Sequence, residues 1–468
     1  MILGVGYAPH MFGSGPWYRH GLGIPRRCTA ADLERRFPFN MASLNANARL
    51  WPARLTDRYL RRISQDLALM RRFGIGLVRI HTVPANPEYL PFIEAVATLA
   101  RRAGLRVWLD LVGCDSPLHW GLCDEQICRL FAASLKGRIE VFQPLNEQNN
   151  RRDLARVIEL FNRCATAIRQ ADPNAQVAFS SAGFHSDQAR AILKTARLDA
   201  LAVNVYLRPE QRSLRAWLDP LAEFHDRQLA PRPLYLGEFG IHCRRGQVCL
   251  DEPMLARIAR SAERLASMLA ATDRLAAFIP FWWQDLLVLR IQCYHQLVQL
   301  NRDLHTYGQA IHRAIFGREL SAWPRPKRRR LHFDSHSQPL AGVRWEAPPR
   351  QVGAWLRHAV QGGGPAICLQ RCRDPWDVEI GRALSKSLAC FSGINQPLQR
   401  GPRLQREPAI VVVGRPAATP GATIGLADRH DVLRLAGRSA TWRLAAALEL
   451  LRRYWQHDQD GLTPEFAD

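Results

Sequence analysis

The chain alternates short, almost wholly apolar runs with longer stretches whose apolar residues recur every three or four positions. The first kind reads as a parallel strand buried on both faces, the second as an amphipathic helix. In order, strands are predicted at 2–9, 77–82, 106–112, 139–145, 177–182, 200–206, 234–239 and 276–283. Helices are predicted at 58–73, 87–103, 124–135, 151–171, 186–196, 211–228, 253–271 and 296–316. Gly74, Gly104 and Gly137 stop three of the helices, and Asp172-Pro173-Asn174 stops a fourth. Strand–helix alternation over residues 1–320 predicts an α/β fold, a (β/α)8 TIM barrel, which typically takes about 250 residues and more with insertions. The excess lies mostly at 10–57, where one short helix is expected at 29–37. A connection of that length is read as a lid or as the wall of a binding cleft. An open doubly wound sheet alternates in the same way, so the pattern sets the class and leaves barrel closure open.

The periodicity lapses at 323–350, a basic stretch rich in Pro, Arg and His that reads as a linker. It resumes at 351–468 as a smaller α/β domain, with strands at 366–370, 409–413 and 431–436 and helices at 378–390 and 441–455. Gly362-Gly363-Gly364 lacks the GK[ST] ending of a phosphate loop and reads as a turn. This second unit shows no catalytic constellation, and the chain has no internal repeat.

Composition narrows the classes. With 468 residues and 47% apolar content, the chain has room for a large barrel and a smaller partner domain. No apolar run approaches the roughly 18 residues of a membrane span. The opening MILGVGYAP enters a strand at once and lacks the basic start and long apolar core of a signal peptide. Most of the 11 cysteines sit singly in apolar runs, as Cys164 and Cys293 do, where they pass as small buried hydrophobes of a reducing compartment. Both features predict a cytoplasmic protein unless an export segment precedes this chain, in which case Cys243 and Cys249 share a loop and could pair. Cys114, His119, Cys123 and Cys128 fit no paired metal-ligand spacing, so no metal is expected. The formal charge is +22, and only four of the 64 basic residues are lysine. A basic surface suits an anionic polysaccharide, nucleic acid or a membrane face. The densest run, Lys327-Arg328-Arg329-Arg330, falls in the linker, and scattered solvated arginine accounts for the rest. No zinc finger, RRM or KH module is present, so nucleic acid is not an expected partner.

The candidate chemistry lies where two strands end. Residues 139–147 read IEVFQPLNE and residues 234–240 read LYLGEFG, each an apolar run that closes on a glutamate. A carboxylate at the carboxyl end of a barrel strand reads as chemistry more readily than as packing. Strands four and seven stand nearly opposite in an eight-stranded barrel, and Glu147 and Glu238 are three strand–helix units of about 30 residues apart. Two carboxyl groups, about 5–5.5 Å apart where configuration is retained, are what cleavage of a glycosidic bond requires. Arg79, inside the apolar run LVRI, needs a partner if it is buried.

On these residues, positions 1–320 resemble clan A of the glycoside hydrolases, the cellulase-like retaining (β/α)8 barrels in which Asn–Glu ends strand four and a glutamate ends strand seven. The resemblance implies that Glu147 is the general acid/base, that Glu238 is the nucleophile and that Asn146 bonds the 2-hydroxyl of the sugar. It further implies that Arg79 holds the nucleophile ionised and oriented and that Tyr206, at the end of strand six, bonds it. Asp110 resembles a clan aspartate on strand three. Asn204 stands where some members have histidine, and Val112 stands where some have a second one, so the likeness stops at the clan. Trp282 and Trp283 end strand eight, where similar enzymes place a tryptophan platform beneath the sugar. Alternation sends the two side chains opposite ways, which favours Trp282 as platform and Trp283 in outer packing. Trp17, Trp51 and Trp120 are candidates for further subsites. The implied activity is hydrolysis of β-glycosidic bonds in a poly- or oligosaccharide through a covalent glycosyl-enzyme, without a cofactor. A transglycosylase would use the same residues, and a non-catalytic carbohydrate-binding barrel is the alternative of another class.

Overall fold

Eight short strands close on themselves. They are β1 (Ile2–Tyr7), β2 (Leu77–Ile80), β3 (Arg106–Asp110), β4 (Val141–Gln143), β5 (Gln176–Ala182), β6 (Ala200–Leu207), β7 (Leu234–Ile241) and β8 (Leu275–Pro280), each parallel to the next, with β8 returning to β1. The structure, a computed structural model, describes residues 1–7, 57–80, 87, 90–111, 124–150, 153–207, 215–241, 252–271, 274–280, 282–284, 296–298, 306–320, 323–324, 331, 333–336, 338–339, 342–372, 375–392, 396, 398–400, 408–414, 421–427 and 431–455. The expected helix at 29–37, nearly all of the long first connection, Trp17, Trp51 and Trp120 lie outside them. So do Cys243, Cys249, Cys293 and three of the four residues weighed as metal ligands; the fourth, Cys128, is buried in the apolar core.

The helices between the strands are α1 (Asp57–Phe73), α2 (Leu90–Arg102), α3 (Glu125–Ser134), α4 (Leu154–Ala171), α5 (Ser186–Thr195), α6 (Arg215–Phe224) and α7 (Glu252–Ala270). Asp124 and Asp153 cap α3 and α4 by accepting from the backbone N–H three residues on, which satisfies a donor that the first helical turn leaves unpaired. Because strand side chains alternate between faces, the barrel has two cores. Outward residues such as Val78, Ile80, Leu109, Phe142, Phe179 and Leu236 pack against the helices. Inward residues, among them Leu77, Trp108, Val141, Ala178, Ala202 and Tyr235, fill the barrel. Two residues further along the same strands, the inward positions are Arg79, Asp110, Gln143, Ser180 and Asn204, all buried. The filling therefore changes from apolar to polar at the carboxyl ends of the strands.

Among the boundaries that differ from the sequence reading, two change the architecture. Strand eight ends at Pro280, which has no N–H to continue the ladder. Trp282–Gln284 instead forms a separate strand, β9, parallel to β10 (Gln296–Val298), and the last helix, α8, spans only Thr306–Phe316. The residues from 296 suit either period, and pairing with β9 decides for a strand. The expected linker is also too long. Leu331 is buried in the second core, and β11 (Val343–Trp345) pairs with β15 (Ala422–Leu426). β11 is only the three residues VRW, too short a run for a period to show.

The second unit further contains α9 (Pro349–Gln361), β12 (Ala366–Gln370), α10 (Pro375–Ser392), β13 (Leu398–Arg400), β14 (Ala409–Gly414), β16 (Val432–Gly437) and α11 (Ala440–Trp455). Its sheet runs β11-β15-β16-β14-β12-β13, with only the β15–β16 pairing antiparallel. Among the described residues no helix is long and apolar enough to cross a membrane.

Trp283 belongs to packing. It is wholly buried, with its ring 6.2 Å from those of Phe73 and Trp323. Phe73 also meets the His312 ring of α8 edge-on at 5.3 Å. His312 Nδ1 lies 3.0 Å from the Arg318 carbonyl oxygen. Burial of the imidazole lowers its pKa from the ordinary 6.5, against the opposing pull of the Arg318 carbonyl. The unfolded chain then takes up a proton before the folded one does, so stability is full above 6.5 and is lost as pH falls towards the depressed folded value. Replacing His312 with Gln, which retains a donor but does not titrate, is expected to flatten the dependence of Tm on pH between about pH 7 and about pH 5. An unchanged slope would remove His312 as its source.

Candidate active site

A charged side chain inside a barrel must bring its partners with it. Arg79 is wholly buried, and its hydrogen-bond partners, from β3, β7 and the stretch from β4 to Asn146, are all acceptors. Nη1 donates to Glu238 Oε1 at 2.6 Å and to the Gly237 carbonyl at 3.3 Å. Nη2 donates to Asp110 Oδ2 at 3.0 Å and to Asn146 Oδ1 at 3.2 Å, and Nε donates to Gln143 Oε1 at 3.2 Å. The guanidinium carbon lies 5.7 Å from the Trp108 ring centroid, within cation–π range. Burial by itself lowers the pKa of Arg79, but Asp110 and Glu238 more than offset it and hold the group above its ordinary range. The cation therefore persists at every pH at which the fold exists.

The carboxylates are fixed in turn. Tyr206 donates to Glu238 Oε2 at 2.5 Å, and Gln143 Nε2 donates to Asp110 Oδ1 at 3.2 Å. Each of the four carboxylate oxygens therefore accepts at least one hydrogen bond. Gln143 uses its amide fully, because Oε1 also accepts from Trp108 Nε1 at 3.1 Å and Nε2 also donates to Asn146 Oδ1 at 2.8 Å.

Asn146 follows β4 by three residues and is buried. Its Oδ1 accepts from Arg79, Gln143, Ser180 (2.9 Å) and Asn204 (3.3 Å). Four donors around the oxygen fix the amide orientation and turn Nδ2 away from them; among the described residues that nitrogen has no hydrogen-bond partner. Glu147 comes next, with φ at +54°, in the left-handed region that a non-glycine residue occupies at a cost. Its side chain is half-buried, and Asn204 Nδ2 donates to Oε1 at 2.8 Å. Asn204 is the register partner of Glu238 across β6 and β7, where the ladder shifts between Val203 and Asn204. Gly237 makes room for it, since a Cβ there would stand 2.9 Å from Asn204 Oδ1. Asn204 thus reaches Glu147 from the position beside Glu238.

The structure brings Arg79, Asp110, Asn146, Glu147, Asn204, Tyr206 and Glu238 into one hydrogen-bonded cluster at the carboxyl ends of β2, β3, β4, β6 and β7. Asp110 is fully buried as counter-ion to Arg79, so it does not face a substrate. Trp283 lies in the outer packing that strand alternation favours, as noted above. The side chain of Trp282 lies outside the described residues. Gln143, Ser180 and Trp108 belong to the cluster and were not anticipated. Gln143 and Ser180 carried a signal, as polar residues inside the mostly apolar runs IEVFQPL and VAFSSA.

If Arg79 is the counter-ion that this geometry describes, Arg79→Met leaves two buried carboxyl groups facing each other. Urea unfolding at pH 7 is expected to show a loss of about 3–5 kcal/mol, with Arg79→Lys between the variant and the parent. A loss below about 1 kcal/mol for Arg79→Met would mean that the cluster does not depend on it.

No family model matches this chain, and no curated protein does. Solved structures resemble it in part. β-Glucuronidase 2 of Bacteroides uniformis, covalently bound to cyclophellitol-6-carboxylate aziridine, is 18% identical, with 62% of this chain and 36% of that chain covered at a TM-score of 0.43. A family 5 glycoside hydrolase from Prevotella bryantii B14 is 13% identical, with 67% and 95% covered at 0.44. A family 39 glycoside hydrolase from Bacteroides cellulosilyticus WH2 is 11% identical, with 55% and 61% covered at 0.44. The chain spans about a third of the length of the B. uniformis β-glucuronidases it resembles.

Proposed function

We propose that the barrel is a retaining glycoside hydrolase that cleaves β-glycosidic bonds of an oligo- or polysaccharide. One observation carries this reading. Two glutamates from different strands, Glu238 on β7 and Glu147 just past β4, join one buried network through Arg79, Asn146 and Asn204. A packing role would not account for two acidic groups gathered at the carboxyl ends of barrel strands.

The roles follow from the surroundings. Glu238 is 2% exposed, with Arg79 on one oxygen and Tyr206 on the other. A carboxylate held at both oxygens can be aimed at an anomeric carbon, so Glu238 acts as the nucleophile. Glu147 is half-buried and therefore within reach of water. It protonates the departing oxygen, and then, as its conjugate base, removes a proton from the water that hydrolyses the glycosyl-enzyme. The Asn146 Nδ2–H, without a partner among the described residues, is suited to a sugar hydroxyl beside the bond that breaks. Asp110 and Gln143 keep Arg79 in place and make no contact with substrate.

On aryl β-glycosides, Glu238→Gln is expected to lower kcat by more than about 10³-fold, with azide restoring no glycosyl-enzyme turnover. Glu147→Gln is expected to lower kcat/KM, which reports formation of the glycosyl-enzyme, by about 10²–10⁴-fold for substrates with poor leaving groups while sparing kcat/KM for dinitrophenyl glycosides. Early NMR spectra of the reaction should show the anomeric configuration retained. An inverted product would overturn the double displacement. Binding of oligosaccharides without turnover of any β-glycoside would make the barrel a binding module.

A further inference from the structure

We infer that Asn149 is a positioning residue for the proton donor, acting through β5 and not through any contact with substrate. The inference rests on the glycosidase reading above and deepens it. Asn149 lies in the 3-10 turn Gln148–Asn150 directly after Glu147 and is 1% exposed. Its Oδ1 accepts from the Ala182 N–H at 2.7 Å, and its Nδ2 donates to Gln188 Oε1 at 3.1 Å and, more weakly, to the Ala182 carbonyl at 3.4 Å. The side chain therefore grips the last residue of β5 and is braced from α5.

Ala182 is also the register partner of Asn204, and the Gly183 N–H donates to the Asn204 carbonyl at 2.8 Å. Asn204 in turn donates to Glu147 at 2.8 Å. The connections form a closed circuit: Glu147 to Asn204 by the side chains, Asn204 to Ala182 by the ladder, Ala182 to Asn149 by the amide, and Asn149 back to Glu147 along two peptide units. Glu147 occupies a left-handed backbone conformation, which persists only where the surroundings hold it. The circuit supplies that hold from both sides, through the carboxylate and through the turn. Glu238 shares the register link through Asn204, but it sits on a paired strand and its carboxylate is held separately by Arg79 and Tyr206. Loosening Asn149 should thus disturb the protonation of the leaving group and leave nucleophilic attack nearly intact.

The test compares two β-glycosides of one sugar, a dinitrophenyl glycoside that departs without a proton and a phenyl glycoside that needs one. For Asn149→Ala, kcat/KM on the phenyl glycoside is expected to fall about 10–100-fold, and on the dinitrophenyl glycoside by less than about 3-fold. Asn149→Asp, which retains the acceptor for the Ala182 N–H, should recover part of the loss, and Gln188→Ala should show a smaller loss with the same selectivity. Equal losses on both substrates, or none on either, would overturn the inference and make Asn149 a structural anchor only. If Asn149→Ala does not fold, Gln188→Ala and Asn149→Asp decide by the same comparison. Should the parent protein turn over no glycoside, the glycosidase reading fails. The positioning inference is then judged by the 13C titration of the Glu147 carboxyl, whose midpoint moves in Asn149→Ala if the circuit holds and stays in place if it does not.

Discussion

The mouth of the barrel depends on one buried guanidinium. A planar group with five N–H donors sits in a space walled by strand backbone and Trp108, where an unpaired donor would be costly. Arg79 meets this with five acceptors among the described residues: two carboxylates, two side-chain amides and one carbonyl. They come from β3, β7 and the stretch from β4 to Asn146, so satisfying one side chain also fixes the relative placement of three elements of the barrel, one of them remote from the other two. The second unit offers a contrast. Arg443 is likewise buried, yet its Nε and Nη2 both go to Asp377, at 2.5 Å and 2.8 Å, and Nη1 goes to the Gly437 carbonyl. There the fork closes on a single carboxylate and ties α11 to α10. At Arg79 the same fork is spread over several strands, and one of the acceptors it orients is a glutamate at the barrel opening.

This arrangement explains what could be read from the sequence. The strands were legible because parallel strands buried on both faces are apolar along their length, as in LVRI and RVWLD. The positions of Glu147 and Glu238 were legible because each ends such a run. The polar layer beneath them was only half legible. Arg79 in an apolar run announced that it needed partners, but one-dimensional spacing could not say which. Its partners lie 31, 64, 67 and 159 residues away along the chain, and only closure of the barrel brings them together. Asp110 is an instance, paired with Arg79 in the structure. An aspartate at the end of a strand looks like a substrate contact until a buried cation is found beside it. The second unit's first strand was missed on other grounds, since a run of three residues is too short for a period to show.

The two glutamates are held by opposite means. Glu238 lies on a strand paired on both sides, so its backbone is set by the ladder and only the side chain has to be aimed. Glu147 lies in a turn, where the backbone itself must be held. Asn204 stands between these situations. It is aligned with Glu238 through the β6–β7 register, it donates to Glu147, and its carbonyl oxygen rests above Gly237, where no other residue leaves room. An amide in this position has a physical consequence. If the residue beside both glutamates were itself titratable, its proton would be coupled to theirs, and the macroscopic pKa values would belong to the group of three. Asn204 carries no exchangeable charge. The donor it presents to Glu147 is the same at every pH, so a change in the protonation of Glu147 is not relayed through this residue to Glu238. The link that holds the two acids in one frame is thus mechanical, which suits the proposed chemistry, in which one of them exchanges a proton while the other stays in place.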